Sequence, residues 1–221
     1  MAFMDAQPYS SETVIVENGS IDGTAQIAEA FAQRDPRVRV FHNQQRGKGQ
    51  AVQRGMLEAR GKYRFMCDAD FSMPVTEVNQ FLPPKLDQYD IAIASREGVG
   101  AVRYNEPGYR HFVGRAYNLM IRLIALPGLH DTQCGFKCFR GDVAEELFRC
   151  QTLGGWSFDV EILYIARLRG YRILEIPIHW HFNPESKVRV LHDSFQMAVD
   201  LLHIRMNDWR GHYQRCRSEA V

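Results

Sequence analysis

Short apolar runs alternate with helical patterns along the first 95 residues, and this alternation constrains the fold more than any other feature of the sequence. Each run holds five or six residues, which is the length of a strand, and a helix-length stretch follows each of the first three. The runs are Thr13–Glu17, Arg37–His42, Tyr63–Cys67 and Asp90–Ser95. Repeated strand–helix order is typical of a parallel sheet. We therefore predict a Rossmann-like α/β fold with a mostly parallel central sheet flanked by helices.

The remaining patterns reach the end of the chain without a repeat, a low-complexity tract or a linker. Three helices are predicted with both ends, over Val75–Gln88, Tyr109–Leu126 and Val190–Trp209. Three more are predicted to end at Arg34, Arg60 and Arg169. Later strands are predicted within Asp131–Arg140 and over Arg172–Phe182. We expect a single domain over residues 1–221.

Composition excludes several classes of protein. An apolar share of 45% in 221 residues indicates a globular domain with a sizeable core. The net charge of +1 argues against a general nucleic-acid binder, so we expect no nucleic-acid partner. The longest apolar stretch, Leu119–Leu129, is interrupted by Arg122 and Pro127 and falls short of the ~20 residues that span a bilayer.

The cysteines and the N-terminus predict a cytoplasmic protein. Five cysteines are an odd number, and the N-terminus lacks the basic and apolar regions of a secretory signal. We therefore expect all five thiols to be reduced. Cys134 and Cys138 have no second pair at zinc-ligand spacing, which favours buried thiols over a metal site.

The run Tyr63–Cys67 ends in Asp68-Ala69-Asp70, and this is the clearest chemical signal in the chain. Open α/β sheets bind ligands at the carboxyl ends of their strands. In an extended chain residues i and i+2 point the same way, so both carboxylates can face one cation. Magnesium favours one or two carboxylates together with substrate phosphates. The alternative is a solvated acidic loop, but the buried strand before it favours a metal-diphosphate site.

Two glycine-containing turns are candidates for nucleotide binding. The turn from Glu17 to Thr24 joins a strand to a helix, whose N-terminus favours anions, and Glu17 can accept hydrogen bonds from a ribose or a base. Arg46-Gly47-Lys48-Gly49 opens the next helix with two cations suited to phosphates. An ordinary structural turn remains the alternative for each of them.

Several segments resemble, in the same order, the polyprenyl-phosphate glycosyltransferases, which are inverting enzymes with the GT-A fold. The segments are ENGSIDGT, QRGKGQAV, CDADFS, ASR, DTQCGFK, WSFDVEIL and a late SK pair. DTQCGFK followed by WSFDVE resembles the dolichyl-phosphate glucosyltransferase branch, and the similarity covers roughly Ser11 to Gly211.

The resemblance implies inverting transfer of a hexose, with glucose favoured, from a nucleotide-diphosphate sugar to a polyprenyl phosphate, in cell-envelope or protein glycosylation. UDP-glucose is the favoured donor and GDP-mannose the alternative, with Mg²⁺ or Mn²⁺ as cofactor. It implies a protein peripheral on the inner face of a membrane, where part of the basic, amphipathic helix Tyr109–Leu126 would lie. An inactive nucleotide-binding remnant and a sugar-phosphate nucleotidyltransferase are rival hypotheses.

The resemblance also implies roles for individual residues. The nucleotide-sugar would contact Glu17, Asn18, Lys48, Asp68, Ala69, Asp70 and Lys187, with Asp68 and Asp70 on the metal. The acceptor phosphate would contact Arg96, Arg110 and Arg115, and the catalytic set would be Asp70, Arg96, Gln133 and Asp159. Asp131, Gln133 and Lys137 would orient sugar hydroxyls, and Ser186 and Lys187 would close over the diphosphate. A solvated helix face is the alternative for Arg110 and Arg115, and a helix cap for Asp159.

The N-terminal segment departs from the family pattern. The family carries a strand ahead of the one that here is Thr13–Glu17, and residues 1–10 contain no apolar run that replaces it. Glu17-Asn18 also stands where the family has two aspartates. We therefore expect Thr13–Glu17 to present an unpaired edge, with weak nucleotide binding and self-association as consequences.

Overall fold

A computed structural model of the chain describes residues 1–44, 46–70, 72–182 and 190–219, without the side chains of 109, 110, 112, 190–195 and 217–219. The strands are β1 Thr13–Glu17, β2 Val38–His42, β3 Tyr63–Cys67, β4 Ile91–Ser95, β5 Val102–Tyr104, β6 Phe136–Arg140, β7 Ile173–Pro177 and β8 His179–His181. The helices are α1 Ala2–Asp5, α2 Thr24–Arg34, α3 Lys48–Glu58, α4 Gly108–Ile124, α5 Gly141–Arg149, α6 Phe158–Leu168, α7 Val190–Trp209 and α8 His212–Glu219, with a 3₁₀ helix at Val75–Gln80. The predicted α/β class is confirmed.

The described strands form three sheets rather than one. The largest has the order β3-β6-β4-β7, and the two small sheets pair β1 with β2 and β5 with β8. The β1–β2, β4–β7 and β5–β8 pairs are parallel, whereas β6 lies antiparallel between β3 and β4. The run Tyr63–Cys67 therefore ends where predicted but pairs with an antiparallel neighbour. Apolar periodicity identifies a strand but carries no information about its partner.

Some predicted elements differ in extent. The helix expected over Val75–Gln88 is only a 3₁₀ turn, Val75–Gln80, and the run expected as one strand over Arg172–Phe182 is two strands. Helix α5 was not predicted, although four apolar residues bury one of its faces. These residues are Val143, Ala144, Leu147 and Phe148, at the spacing of a helical face.

The apolar core lies around β4 and the helices that cover it. Every residue of β4 is buried, and Ile91, Ala92, Ile93 and Ala94 have no exposed surface. Helix α3 contacts β1, β3 and α5, so it covers both the two-stranded β1–β2 sheet and the edge of the larger sheet. The start of α3 consequently lies where the two sheets meet.

The expectation that all cysteines are reduced is wrong, because Cys150 and Cys216 form a disulfide with their Cα atoms 5.7 Å apart. The two residues are 66 positions apart in sequence, and only the folding of α8 against the end of α5 brings them together. Cys134 and Cys138 are buried free thiols, as predicted, and burial raises the pKa of each to about 12. Within the described ranges, the helices are too short or too polar to cross a bilayer.

Candidate active site

The carboxylate of Asp68 packs directly against the backbone of Gly135. Asp68 follows the last residue of β3, and its N–H donates to the carbonyl of Gly135 over 3.0 Å. A Cβ atom at position 135 would lie 1.9 Å from Asp68 Oδ2, which no real contact permits. Gly135 therefore lets the Asp68 carboxylate lie over the end of the sheet, and a side chain at position 135 would displace the carboxylate from that position.

Lys48 joins Asp68 at this point. Its Nζ atom donates to Asp68 Oδ2 over 2.8 Å and lies 5.3 Å from the centre of the Trp156 ring. Burial opposes the charge of Lys48, but the carboxylates of Asp68 and Asp159 outweigh it and raise the pKa of the amine. The structure thus brings together the predicted phosphate-binding lysine and the first predicted metal ligand.

Asp70 supplies the second carboxylate on the same loop. Its Oδ1 accepts the N–H of Ser72 over 3.0 Å, and both Asp70 and Ala69 are exposed. No group of three His, Cys, Asp or Glu side chains that could hold a metal is found among the described residues. Two carboxylates suit Mg²⁺ or Mn²⁺ when a diphosphate provides further oxygens, so the donor set fits a metal that arrives with its substrate.

A second ion pair lies buried beside the first. Lys137 Nζ donates to Asp159 Oδ1 and to the carbonyl of Cys134, each over 2.5 Å, and the Lys137 and Asp159 side chains are 1% and 4% exposed. Burial raises the pKa of Asp159, and nearby Asp68 adds to the effect, against the attraction of Lys137 and Lys48. The N-cap of α6 is Ser157, so Asp159 belongs to this ion pair and is not the helix cap that was the alternative to its catalytic role.

Arg96 is held by Asp131 in a bidentate ion pair. Its Nε and Nη2 atoms donate to the two carboxylate oxygens over 2.7 and 2.9 Å, and its backbone N–H donates to Oδ2 over 2.9 Å. The guanidinium also lies 5.3 Å from the Trp180 ring centre. Burial opposes the charge of Asp131, but Arg96 outweighs it and lowers the carboxyl pKa to about 2. Both groups therefore stay charged at neutral pH.

The two glycine-containing turns form one surface. The Glu17 carboxylate accepts the Ser20 N–H, which is the main reason that its pKa falls to about 2. Asn18 Oδ1 accepts the Gly47 N–H over 3.2 Å, and Arg46 donates to the Gly19 carbonyl over 2.8 Å. The predicted base-binding and phosphate-binding turns are therefore adjacent.

The remaining predicted residues are placed differently. Gln133 donates its backbone N–H to Asp131, and its buried Nε2 has no hydrogen-bond partner in the described structure. Arg115 is exposed on α4, whereas Arg110 belongs to α4 with its side chain outside the described part. Ser186 and Lys187 lie outside the described residues.

Sequence reasoning missed three residues of this region. Gly135 packs against Asp68, and Trp156 faces Lys48. Glu161 is wholly buried in the first turn of α6, where it accepts hydrogen bonds from the chain just before that helix. The available signal was a pair of acidic residues, Asp159 and Glu161, in an otherwise apolar helix.

Known proteins are similar to this chain in both sequence and fold. A model described as "Glycosyl transferase family 2" matches residues 4–148. A dolichyl-phosphate beta-glucosyltransferase of Trichomonas vaginalis is 34% identical over 204 residues, with 89% of this chain and 60% of that protein covered. One of Dictyostelium discoideum is 32% identical over 206 residues, with 89% and 63% covered. The chain thus spans between 60% and 63% of the length of these two relatives.

A solved structure supports the same fold. Glucosyl-3-phosphoglycerate synthase from Mycobacterium tuberculosis, in complex with Mn²⁺, UDP-glucose and phosphoglyceric acid, matches with a TM-score of 0.62 at 16% identity. The match covers 90% of this chain and 68% of that one. The predicted GT-A fold is confirmed.

Proposed function

Since this chain belongs to glycosyl transferase family 2, we propose that it transfers a hexose from a nucleotide-diphosphate sugar to a polyprenyl phosphate with inversion. The observation that carries the proposal is the contact of Lys48 with Asp68 beside Asp70, at the carboxyl end of β3. Glucose is the favoured sugar and a dolichyl-type phosphate the favoured acceptor, because the relatives compared above are dolichyl-phosphate beta-glucosyltransferases.

The donor would bind across the start of α3. Asp68 and Asp70 would hold Mg²⁺ or Mn²⁺, and this metal supplies electrostatic stabilisation to a diphosphate leaving group. Without ligand, the Lys48 amine pairs with the Asp68 carboxylate. When the metal binds Asp68, Lys48 would bind the diphosphate oxygens instead. Glu17 and Asn18 lie on the adjoining turn and would contact the nucleoside.

The acceptor needs cations rather than a strong base. A phosphate monoester has a second pKa near ~6 and is mostly dianionic at neutral pH, so its oxygen is already a nucleophile. Arg96 bonds Asp131 through Nε and Nη2, which leaves its Nη1 edge for the acceptor phosphate. Gln133 and Asp159 remain the proposed catalytic partners at the sugar, and Arg110 and Arg115 remain further phosphate contacts.

One face of α4 would meet the membrane that holds the acceptor. Arg115, Leu119, Arg122 and Leu123 are all exposed, and their spacing places them on one side of the helix. Basic and apolar side chains in one stripe suit an anionic bilayer surface. Sedimentation with phosphatidylserine-containing vesicles should therefore exceed that with neutral vesicles, and Leu123→Glu should remove the difference.

The transfer assay tests the proposal directly. UDP-glucose, Mn²⁺ and a short polyprenyl phosphate should give a β-linked glucosyl phosphate lipid, and Asp70→Ala should give none. Product from GDP-mannose in preference to UDP-glucose would make the protein a mannosyltransferase. Donor binding without any transfer to lipid phosphate would instead favour the inactive remnant.

The Arg96→Lys variant tests the proposed acceptor role of Arg96 without removing the positive charge that the fold requires. Arg96→Ala would leave the buried Asp131 carboxylate unpaired, whereas lysine keeps a positive charge beside it. We expect the KM for polyprenyl phosphate to rise roughly 10-fold or more, the lower end for a lost charged hydrogen bond, while nucleotide binding stays unchanged. An unaltered acceptor KM would remove Arg96 from the acceptor site.

A further inference from the structure

The loop from Gln151 to Gly154 packs against the start of α3 through two hydrogen bonds and a close approach of the two backbones. Gln50 N–H donates to the Gly154 carbonyl over 3.3 Å, and Gln151 Nε2 donates to the Gly49 carbonyl over 2.9 Å. A Cβ atom at Gly47 would lie 2.5 Å from Gly154 O. A shift of this loop must therefore move the first turn of α3, which begins with Lys48.

Glu161 holds the other side of that loop. Its Oε2 accepts the N–H groups of Thr152 and Leu153 over 3.0 and 2.8 Å, and its Oε1 accepts the Thr152 hydroxyl. The Glu161 side chain has no exposed surface. A buried carboxylate with several donors fixes the geometry of all of them, because each donor lost leaves charge uncompensated.

The last donor to Glu161 comes from the C-terminal helix. Tyr213 OH in α8 donates to Glu161 Oε1 over 2.9 Å, and burial together with the Glu161 carboxylate raises the pKa of the hydroxyl, so it remains a donor. The Cys150–Cys216 disulfide ties α8 to the end of α5, and Arg169 donates to the Tyr213 carbonyl. Helix α8 is thus anchored at Tyr213 itself and at Cys216, three residues later.

We propose that Glu161 is a positioning residue of the donor site, which fixes the Gln151–Gly154 loop and thereby Lys48 only when Tyr213 of α8 is in place. The inference rests on the proposed function, since it assigns Lys48 to a nucleotide diphosphate. It makes α8 part of the donor-binding machinery, although no residue of α8 contacts Lys48 or Asp68 in the described structure.

Tyr213→Phe and a matched control test this coupling. Tyr164→Phe removes a phenolic hydroxyl of the same kind, which donates to Asp208 over 2.6 Å instead of to Glu161. The two tyrosine rings pack against each other with centroids 6.3 Å apart, and phenylalanine preserves that packing in both variants. Both variants therefore keep the packing of the two rings, and each loses one hydroxyl hydrogen bond to a carboxylate.

The readouts are amide hydrogen exchange at Thr152 and Leu153 and the Kd of UDP with Mn²⁺. Tyr213→Phe should speed exchange at both amides and raise the Kd by roughly 5- to 10-fold, in the range of couplings between sites. Tyr164→Phe should change neither the exchange rates nor the Kd. Glu161→Gln should speed exchange and raise the Kd more than Tyr213→Phe does.

Equal Kd values for wild type and Tyr213→Phe, or an equal rise in the Kd for UDP in the two tyrosine variants, would overturn the inference while leaving the proposed function intact. A wild-type protein that binds no UDP would overturn the proposed function and, with it, the claim about affinity. Unchanged exchange at Thr152 and Leu153 in Tyr213→Phe would overturn the coupling whatever the nucleotide result.

Discussion

The β1–β2 sheet and the two inner strands of the larger sheet, β6 and β4, are built from similar apolar runs but are buried to very different extents. All of β4 is buried, whereas Glu17 is the only buried residue of β1. Among the described residues, the apolar core around β4 and its covering helices includes no residue of β1, α2 or β2. A strand pattern alone therefore does not decide local stability, because burial depends on how many neighbours the fold provides.

The two sheets meet at the candidate donor site. Helix α3 packs on β1 and β3, and its first residue, Lys48, bonds Asp68 at the end of β3. The proposed nucleoside contacts, Glu17 and Asn18, lie at the carboxyl end of β1, and the proposed metal ligands follow β3. A bound nucleotide would therefore join the two sheets and stabilise the first more than the second.

The largest expected effect comes from disturbing this junction. Gly135→Ala places a methyl group 1.9 Å from Asp68 Oδ2, so the carboxylate must leave its position. We expect at least a roughly 100-fold weaker Kd for UDP with Mn²⁺, in line with the loss of several charged contacts. Gly114→Ala is the control, because no described atom lies within 4 Å of a Cβ built at position 114 and an alanine favours helix α4. Retained affinity in Gly135→Ala would show that Asp68 does not bind the donor.

Removing the disulfide should lower the stability of the part built around the larger sheet and so bring it closer to that of the β1–β2 sheet. Cys150 and Cys216 are 66 residues apart, and in the chain-entropy model a loop of that size contributes about 4 kcal/mol to the free energy of unfolding. Cys216→Ser should lose about that much in urea denaturation. Addition of a thiol reductant should reproduce the loss in wild type and have no effect on the variant, and a wild type indifferent to the reductant would contradict the pairing.

Hydrogen exchange measures the comparison strand by strand. Among the described residues β1 pairs with β2 alone, so one of its edges lacks a strand partner. We expect the amides of β1 to open with a free energy at least about 3 kcal/mol below that of β4. Dilution should reduce protection in β1 if self-association covers its edge. Equal protection of Thr13–Glu17 and Ile91–Ser95 in a monomer would mean that something else completes the β1–β2 sheet.

The sequence predicted the bounds of individual strands better than it predicted which strands and residues lie next to them. The bounds of β1 and β3 and the position of Asp68 and Asp70 followed from apolar runs and their ends, which are local properties. The antiparallel insertion of β6, and the approach of Gly135 to Asp68, depend on a segment about 70 residues later in the chain. No periodicity within β3 carries that information.

The smallest expected effect is a pH dependence confined to the weakly buried region. Hydrogen bonds from His42 to Glu29 and Glu17 raise the pKa of the imidazole. Its contribution to stability is then fully present below the unfolded pKa of ~6.5 and is lost as pH rises through the higher folded value. Glu17 acts oppositely, because its pKa is lowered to about 2 and its contribution is lost as pH falls from about 4.5 to that value.

Exchange protection of β1 and β2 in the wild type should therefore fall as the pH rises from about 6.5 through the raised folded pKa of His42. The same measurement on His42→Gln should show no such decline, while the decline on the acid side persists in both proteins. An identical alkaline decline in His42→Gln would assign it to another group. Protection of β4 should not follow this pH dependence in either protein.

Calorimetric titration of UDP into the wild type and Asp70→Ala, with and without Mn²⁺, tests the central claim most directly. Because two carboxylates alone hold the metal weakly, Mn²⁺ without nucleotide should bind little, and Mn²⁺ should tighten UDP binding at least roughly 10-fold in the wild type. Asp70→Ala should lose that metal dependence. Binding of UDP to Asp70→Ala with the wild-type affinity, both with and without Mn²⁺, would contradict a metal-diphosphate site at the end of β3.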